Sequence, residues 1–232
     1  MRMAELCRRS GVPVATIKFY IRLGLLPAGR LTSPTRASYD GAHEHRLRLI
    51  RALLDAGGLS LAAIGDVLRA VDDPDRPPAD VLRTTTDHLT PPRETASGPE
   101  LDEARAEVAR LVRRLGWRAD ADGPAGEALA GVLVALRAAG HGDFAVLLDD
   151  YAAAAERVAR ADLGHLGRPA ARAEQVERVV VGTVLGEAMF SALRRLAHAD
   201  AWWCRLYPDS GARCTDPDPT AGAAWRRRHG TP

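Results

Sequence analysis

Apolar positions in the first 72 residues recur at intervals of three and four and are punctuated by glycine and proline, the period of short amphipathic helices. Residues 2–10 turn Met3 and Leu6 to one side and end at Gly11, and Pro13 opens a second helix that runs to Leu23 and closes at Gly24. The spacing predicts a helix, a tight turn and a second helix. Residues 29–39, GRLTSPTRASY, set turn formers between two short extended stretches, the pattern of a two-stranded wing. Helices follow over 42–54 and 61–71, with Ser60 as an N-cap candidate. The run Asp72-Asp73-Pro74-Asp75-Arg76-Pro77-Pro78 then breaks the pattern, and the polar stretch 90–100 breaks it again, isolating helical candidates over 79–89 and 101–115. From Pro124 onward the same spacing predicts helices over 128–139, 144–161 and 173–198. Val179-Val180-Val181 would suit a strand, but it lies inside a long proline-free segment and is read as helix. The tail after Tyr207 is rich in Pro, Gly and Arg and is expected to be loose.

Composition narrows the partners. Of 232 residues, 46% are hydrophobic, enough to bury a core, and the formal net charge is only +2, so no whole-chain argument for nucleic acid or membrane is available. Charge does segregate: residues 1–72 carry eleven Lys/Arg against six Asp/Glu, and the remainder carries 21 against 24. The first third is the basic part. Three cysteines, Cys7, Cys204 and Cys214, make no disulfide framework and favour a reducing compartment, the cytoplasm. The N-terminal stretch MRMAELCRRSG has no apolar run, and the most apolar segment, 179–196, is broken by Glu187, Arg194 and Arg195, so no membrane association is expected. Enzyme readings find no support: there is no phosphate-binding glycine loop, no HExxH and no Glu-x-x-His pair, and the adjacent Asp149 and Asp150 cannot share a helix face. No cofactor is expected.

Within the second helix, Val14, Ile17 and Ile21 fall on one face, which leaves Thr16, Lys18, Phe19 and Arg22 pointing away from the core. These are groove-facing residue types: Arg and Lys take phosphates or guanine edges, Thr bonds a base or touches a thymine methyl, and an aromatic ring packs on sugar or base. The bland alternative is a small helical bundle with solvated arginines.

The order MAELCRRSGVPVATIKFYIRLGLLP, a wing with two arginines, SYD, and RLRLIRALLDAGGLSLAAIGDVL resembles the MerR-type winged-helix transcription regulators over residues 1–72. The resemblance implies a homodimer on double-stranded DNA, with the second helix in the major groove and the wing on the flanking backbone. It implies helix contacts from Thr16, Lys18, Phe19, Tyr20 and Arg22 and wing contacts from Arg30, Arg36 and Tyr39. The expected fold is thus mostly α: a winged helix-turn-helix over 1–72, connector and dimerisation helices over 73–123, an all-helical effector domain over 124–207 and a tail over 208–232.

Members of this family follow the DNA-binding part with a long helix that pairs with its twin. Here residues 101–115 offer an apolar stripe, with Leu101, Val108, Leu111 and Leu115 as candidate dimer contacts. The scarce aromatics Phe144, Tyr151, Phe190, Trp202 and Trp203 gather in the C-terminal half as candidates for an apolar or cationic small-molecule effector, although rings at helical spacing also serve as plain core. Two alternatives stay open. Cys204 and Cys214, with His198 nearby, would suit a thiol-based metal sensor, and a constitutive DNA binder needs no ligand at all.

Overall fold

The computed structural model describes residues 1–33, 36–90, 97–166 and 172–206. Helix α1 (Met3–Ser10) ends at Gly11, whose φ of +70° is a left-handed conformation that glycine adopts without the Cβ penalty; its N–H closes on the Cys7 carbonyl. Helix α2 (Val14–Arg22) follows, then strands β1 (Arg30–Ser33) and β2 (Arg36–Ser38), paired antiparallel with Arg30 opposite Ser38 and Ser33 opposite Arg36. Helix α3 (Gly41–Arg51) starts at an Asp40 cap and runs into a π-helical segment, Ala52–Ala56, where an unbroken helix over 42–54 was expected. Helix α4 (Leu61–Asp72) is capped by Ser60, whose Oγ accepts from the Ala63 N–H at 3.2 Å.

Beyond these come α5 (Pro78–Leu89), α6 (Pro99–Leu115), α7 (Pro124–Ala138), a 3₁₀ segment Gly142–Leu147, α8 (Leu148–Leu166) and α9 (Arg172–Leu206). Prolines open α5, α6 and α7, where their missing N–H costs nothing. The valine run 179–181 is helical, as its context predicted. Two details differ from the spacing argument: Phe144 sits in the 3₁₀ segment ahead of α8, and α9 continues past His198 to Leu206.

Two apolar cores form among the described residues. The first gathers Leu6, Ile17, Leu26, Leu47, Ile50, Leu53, Ile64 and Val67, joined by Val81 of α5 and by Val176, Val180 and Val184 of α9. Gly57 is what admits α9 here, because a Cβ at that position would lie 2.2 Å from a Val184 methyl and 2.7 Å from the Leu53 carbonyl. The second core packs Leu101, Ala104 and Val108 of α6 against Ala130 and Leu133 of α7. A two-pronged ion pair joins the same helices, Arg105 Nε and Nη2 donating to the Glu127 oxygens at 2.7 and 2.8 Å, which holds the Glu127 carboxyl below its ordinary range.

Residues 73–123, expected as a connector, therefore divide between the cores: α5 packs on the first and α6 on the second. The chain separates into two compact units, Met1–Gly186 and Glu187–Pro232; residues 187–206 of the second are described, and the tail 208–232 lies outside the described residues. No helix among the described residues is long and apolar enough to cross a membrane.

Candidate nucleic-acid interface

The turn between α1 and α2 is tied by Ser10, whose Oγ donates to the Leu6 carbonyl at 2.7 Å and accepts from the Val12 N–H at 3.3 Å. This fixes the entry of α2. Ile17 and Tyr20 face inward and are buried, Val14 and Ile21 are half-buried, and Lys18, Phe19 and Arg22 are exposed, with Thr16 half-buried at the edge. The Arg22 guanidinium lies 5.8 Å from the centre of the Phe19 ring, a cation–π contact that aligns both side chains on the outer face.

The wing stands beside this helix with Arg30 and Arg36 exposed on its two strands. Thr32 Oγ1 donates to the Arg36 carbonyl at 3.2 Å across an irregular step in the pairing. Its tip, Pro34 and Thr35, lies outside the described residues. The base of the wing is anchored by the chain's first residue: the Met1 amino group donates to the Tyr39 carbonyl at 2.6 Å, and the Tyr39 N–H returns a bond to the Met1 carbonyl at 2.8 Å.

The cations of residues 1–72 fall into two groups. Arg9, Arg46, Arg48, Arg51 and Arg69 are each paired with a carboxylate, on Glu44, Asp72, Glu44, Asp55 and Asp66 respectively. Arg2 and Arg8 at α1, and Lys18, Arg22, Arg30 and Arg36, have no carboxylate partner among the described residues. Four of these six unpaired cations stand on α2 and the wing, where they attract a polyanion.

Tyr20 and Tyr39 stand differently from the other expected contacts. They are only 3% and 8% exposed and belong to the first core. The sequence carried a signal for the first: Tyr20 is three positions from Ile17, on the same helix face. Spacing had no equivalent signal for Glu44, which is buried on α3 with Arg9 of α1 at 2.8 Å.

Of the candidate dimer contacts, Leu101, Val108 and Leu111 are buried and Leu115 is half-buried. The aromatics expected at an effector site are on three elements: Phe144 in the 3₁₀ segment, Tyr151 on α8, and Phe190, Trp202 and Trp203 on α9. All five are exposed. The Cys204 side chain and Cys214 lie outside the described residues, and among those described no group of three or more His, Cys, Asp or Glu side chains is arranged to hold a metal.

A helix-turn-helix flanked by a two-stranded wing, with unpaired cations on the second helix and the wing, defines a winged-helix DNA-reading protein. Residues 1–71 match the MerR HTH family regulatory protein profile. The crystal structure of SCO5550 from Streptomyces coelicolor A3(2), a candidate transcriptional regulator, is similar at 35% identity and a TM-score of 0.64, covering 89% of this chain and 98% of that one. No curated protein matches the chain. The chain belongs to the MerR family of helix-turn-helix transcription regulators, a family of DNA-binding regulators and not of enzymes.

Proposed function

We propose that this regulator reads a near-palindromic duplex as a homodimer and that a small organic ligand shifts its affinity for that duplex. The observation that carries the DNA reading is the placing of cations: all four on α2 and the wing are exposed and without a carboxylate among the described residues, whereas those of α3 and α4 and Arg9 of α1 are neutralised, and of the others only Arg2 and Arg8 are not. Thr16, Lys18, Phe19 and Arg22 meet base edges and the phosphates beside them, and Arg30 and Arg36 hold flanking phosphates. Tyr20 and Tyr39 act from behind this surface, as packed rings that orient α2 and the base of the wing.

Assembly as a homodimer is supported by residues 187–206, where Met189, Leu193 and Leu196 recur at three and four spacing and are all exposed. The stripe of Leu101, Val108 and Leu111 is already turned into its own chain.

Fluorescence anisotropy on duplexes tiled from the chain's own promoter region tests the reading. Affinity is expected to fall steeply with salt, as counterions released from the phosphates are returned. Arg22→Ala is expected to cost about 1–3 kcal/mol and to relax base discrimination, whereas Arg36→Ala weakens all sequences alike. Salt-independent binding, or none to any duplex, overturns the proposal.

A further inference from the structure

A cleft of about 1090 Å³ opens within the first unit between α3, the end of α4, the last turns of α8 and the first turns of α9. Val71, Val176 and Val181 give it apolar walls, and its size suits an organic ligand. Its charge is unbalanced. Asp72, Asp73, Glu174 and Glu177 line it against Arg46, Arg178 and the imidazoles of His45 and His165. Arg46 is taken by Asp72, and Arg178 by Glu174 at 2.6 Å, which leaves Asp73 and Glu177 without an arginine or lysine among the described residues. Among the described residues Glu177 bonds to the His45 imidazole on α3, at 2.7 and 2.9 Å.

An adjoining hollow of about 280 Å³ shares His45, Arg46, Asp72 and Glu177 with this cleft and adds His43. His43 Nδ1 lies 2.7 Å from the Asp40 carboxylate and accepts from the Asp40 backbone N–H at 3.3 Å, so Asp40 occupies that side of the ring. The other ring nitrogen, Nε2, is buried and has no hydrogen-bond partner among the described residues. A buried polar atom without a partner is costly, and a ligand that supplies one removes the cost.

We propose that this cleft binds an organic amine. Its ammonium group donates to the Glu177 carboxylate, a polar atom beside it meets His43 Nε2, and its apolar body lies against Val71, Val176 and Val181. Because Glu177 is also the link from α9 to His45, the ammonium competes with that link and changes how α9 holds α3, the helix that follows the wing. This deepens the reading of the chain as a ligand-responsive regulator and rests on it, since only a regulator turns occupancy into a change in DNA affinity.

The test uses the full chain and two dyes that differ at one end: dansylcadaverine, which ends in an ammonium, and dansyl-6-aminohexanoate, which ends in a carboxylate. Saturable fluorescence enhancement is expected with the amine and not with the acid. Glu177→Gln, which keeps the shape and an acceptor oxygen, is expected to weaken the amine about tenfold, and Asp73→Asn by about threefold, consistent with loss of a charge-assisted contact and of a nearby charge. Circular dichroism establishes that both variants are folded. Equal binding of the two dyes, or binding by Glu177→Gln equal to that of the parent, overturns the assignment. Duplex affinity at saturating amine is expected to shift, and an unchanged affinity overturns the coupling. Duplex binding without dye tests the regulator reading separately. A chain that binds DNA but does not discriminate the dyes loses only the cleft, and one that selects the amine through Glu177 but binds no duplex loses only the regulator.

Discussion

Glu44 shows how a single residue's surroundings decide what a substitution does. Its carboxylate is buried, with Arg9 at 2.8 Å and Arg48 at 3.5 Å, and both arginine side chains are more than half exposed. Removing the nearer cation and removing the carboxylate are therefore unequal changes. Arg9→Ala leaves a buried negative charge with only the more distant partner, and is expected to destabilise by about 1–3 kcal/mol. Glu44→Gln leaves two arginines that water already solvates and puts a neutral amide in the same volume, so its cost is expected to stay below about 1 kcal/mol. Urea unfolding of the two variants checks the order, and a costlier Glu44→Gln would refute it. The same difference between local pattern and surroundings governs Tyr20: its position on the Ile17 face was visible in the spacing, but its burial required α2 to dock.

Elements meet at points where one atom too many matters. Gly57, just after the π-helical segment, has an ordinary φ of −81°, so its role is space and not backbone freedom. Gly57→Ala forces a methyl against both Val184 and the Leu53 backbone, and is expected to cost about 1–3 kcal/mol by overpacking. Hydrogen exchange in residues 172–186 should then rise more than in α6 and α7, and uniform protection would contradict the assignment of α9 to the first core.

The N-terminus of α3 offers a second test. Asp40 accepts from the backbone N–H groups of Ala42 and His43 and from the His43 ring, and this bonding, the ring foremost, holds its carboxyl below the ordinary 3.8. A depressed folded value means the unfolded chain takes up the proton first. The stabilisation is full above pH 3.8 and is lost as pH falls through the lower folded value. Asp40→Asn keeps a capping oxygen without the titration. Its melting temperature is therefore expected to fall less steeply than the parent's below that pH, and thermal melts across the acid range would show this.

At the scale of the whole molecule, two-fold docking on DNA requires two copies, and the exposed row Met189, Leu193 and Leu196 is the proposed contact. Sedimentation should show a dimer without DNA. Leu193→Glu with Leu196→Glu is expected to give folded monomers that bind a full palindrome far more weakly, because these side chains are 55% and 68% exposed and their loss leaves both cores intact. Charges at Val108 and Leu111 would instead disrupt the packing of α6 on its own chain. A dimer that survives the first pair of substitutions would move the interface elsewhere.

The sequence alone determined the helix-turn-helix, the wing, the Ser60 cap and the helical state of the valine run, because period, caps and turn residues act over a few neighbouring positions. It also determined which faces are apolar, since side-chain chemistry and spacing suffice for that. What covers each face was decided only by the tertiary structure. Hydrophobic burial has no direction, so the stripe of α6 is equally suited to a twin or to α7, and Val176, Val180 and Val184 carry no mark that assigns them to the first core. The same holds for charge. Composition placed eleven cations in the first 72 residues, and helical spacing pairs Arg48, Arg51 and Arg69 with carboxylates three or four positions away, but only the folded chain brought distant carboxylates to Arg9 and Arg46 and left all four cations of α2 and the wing without one.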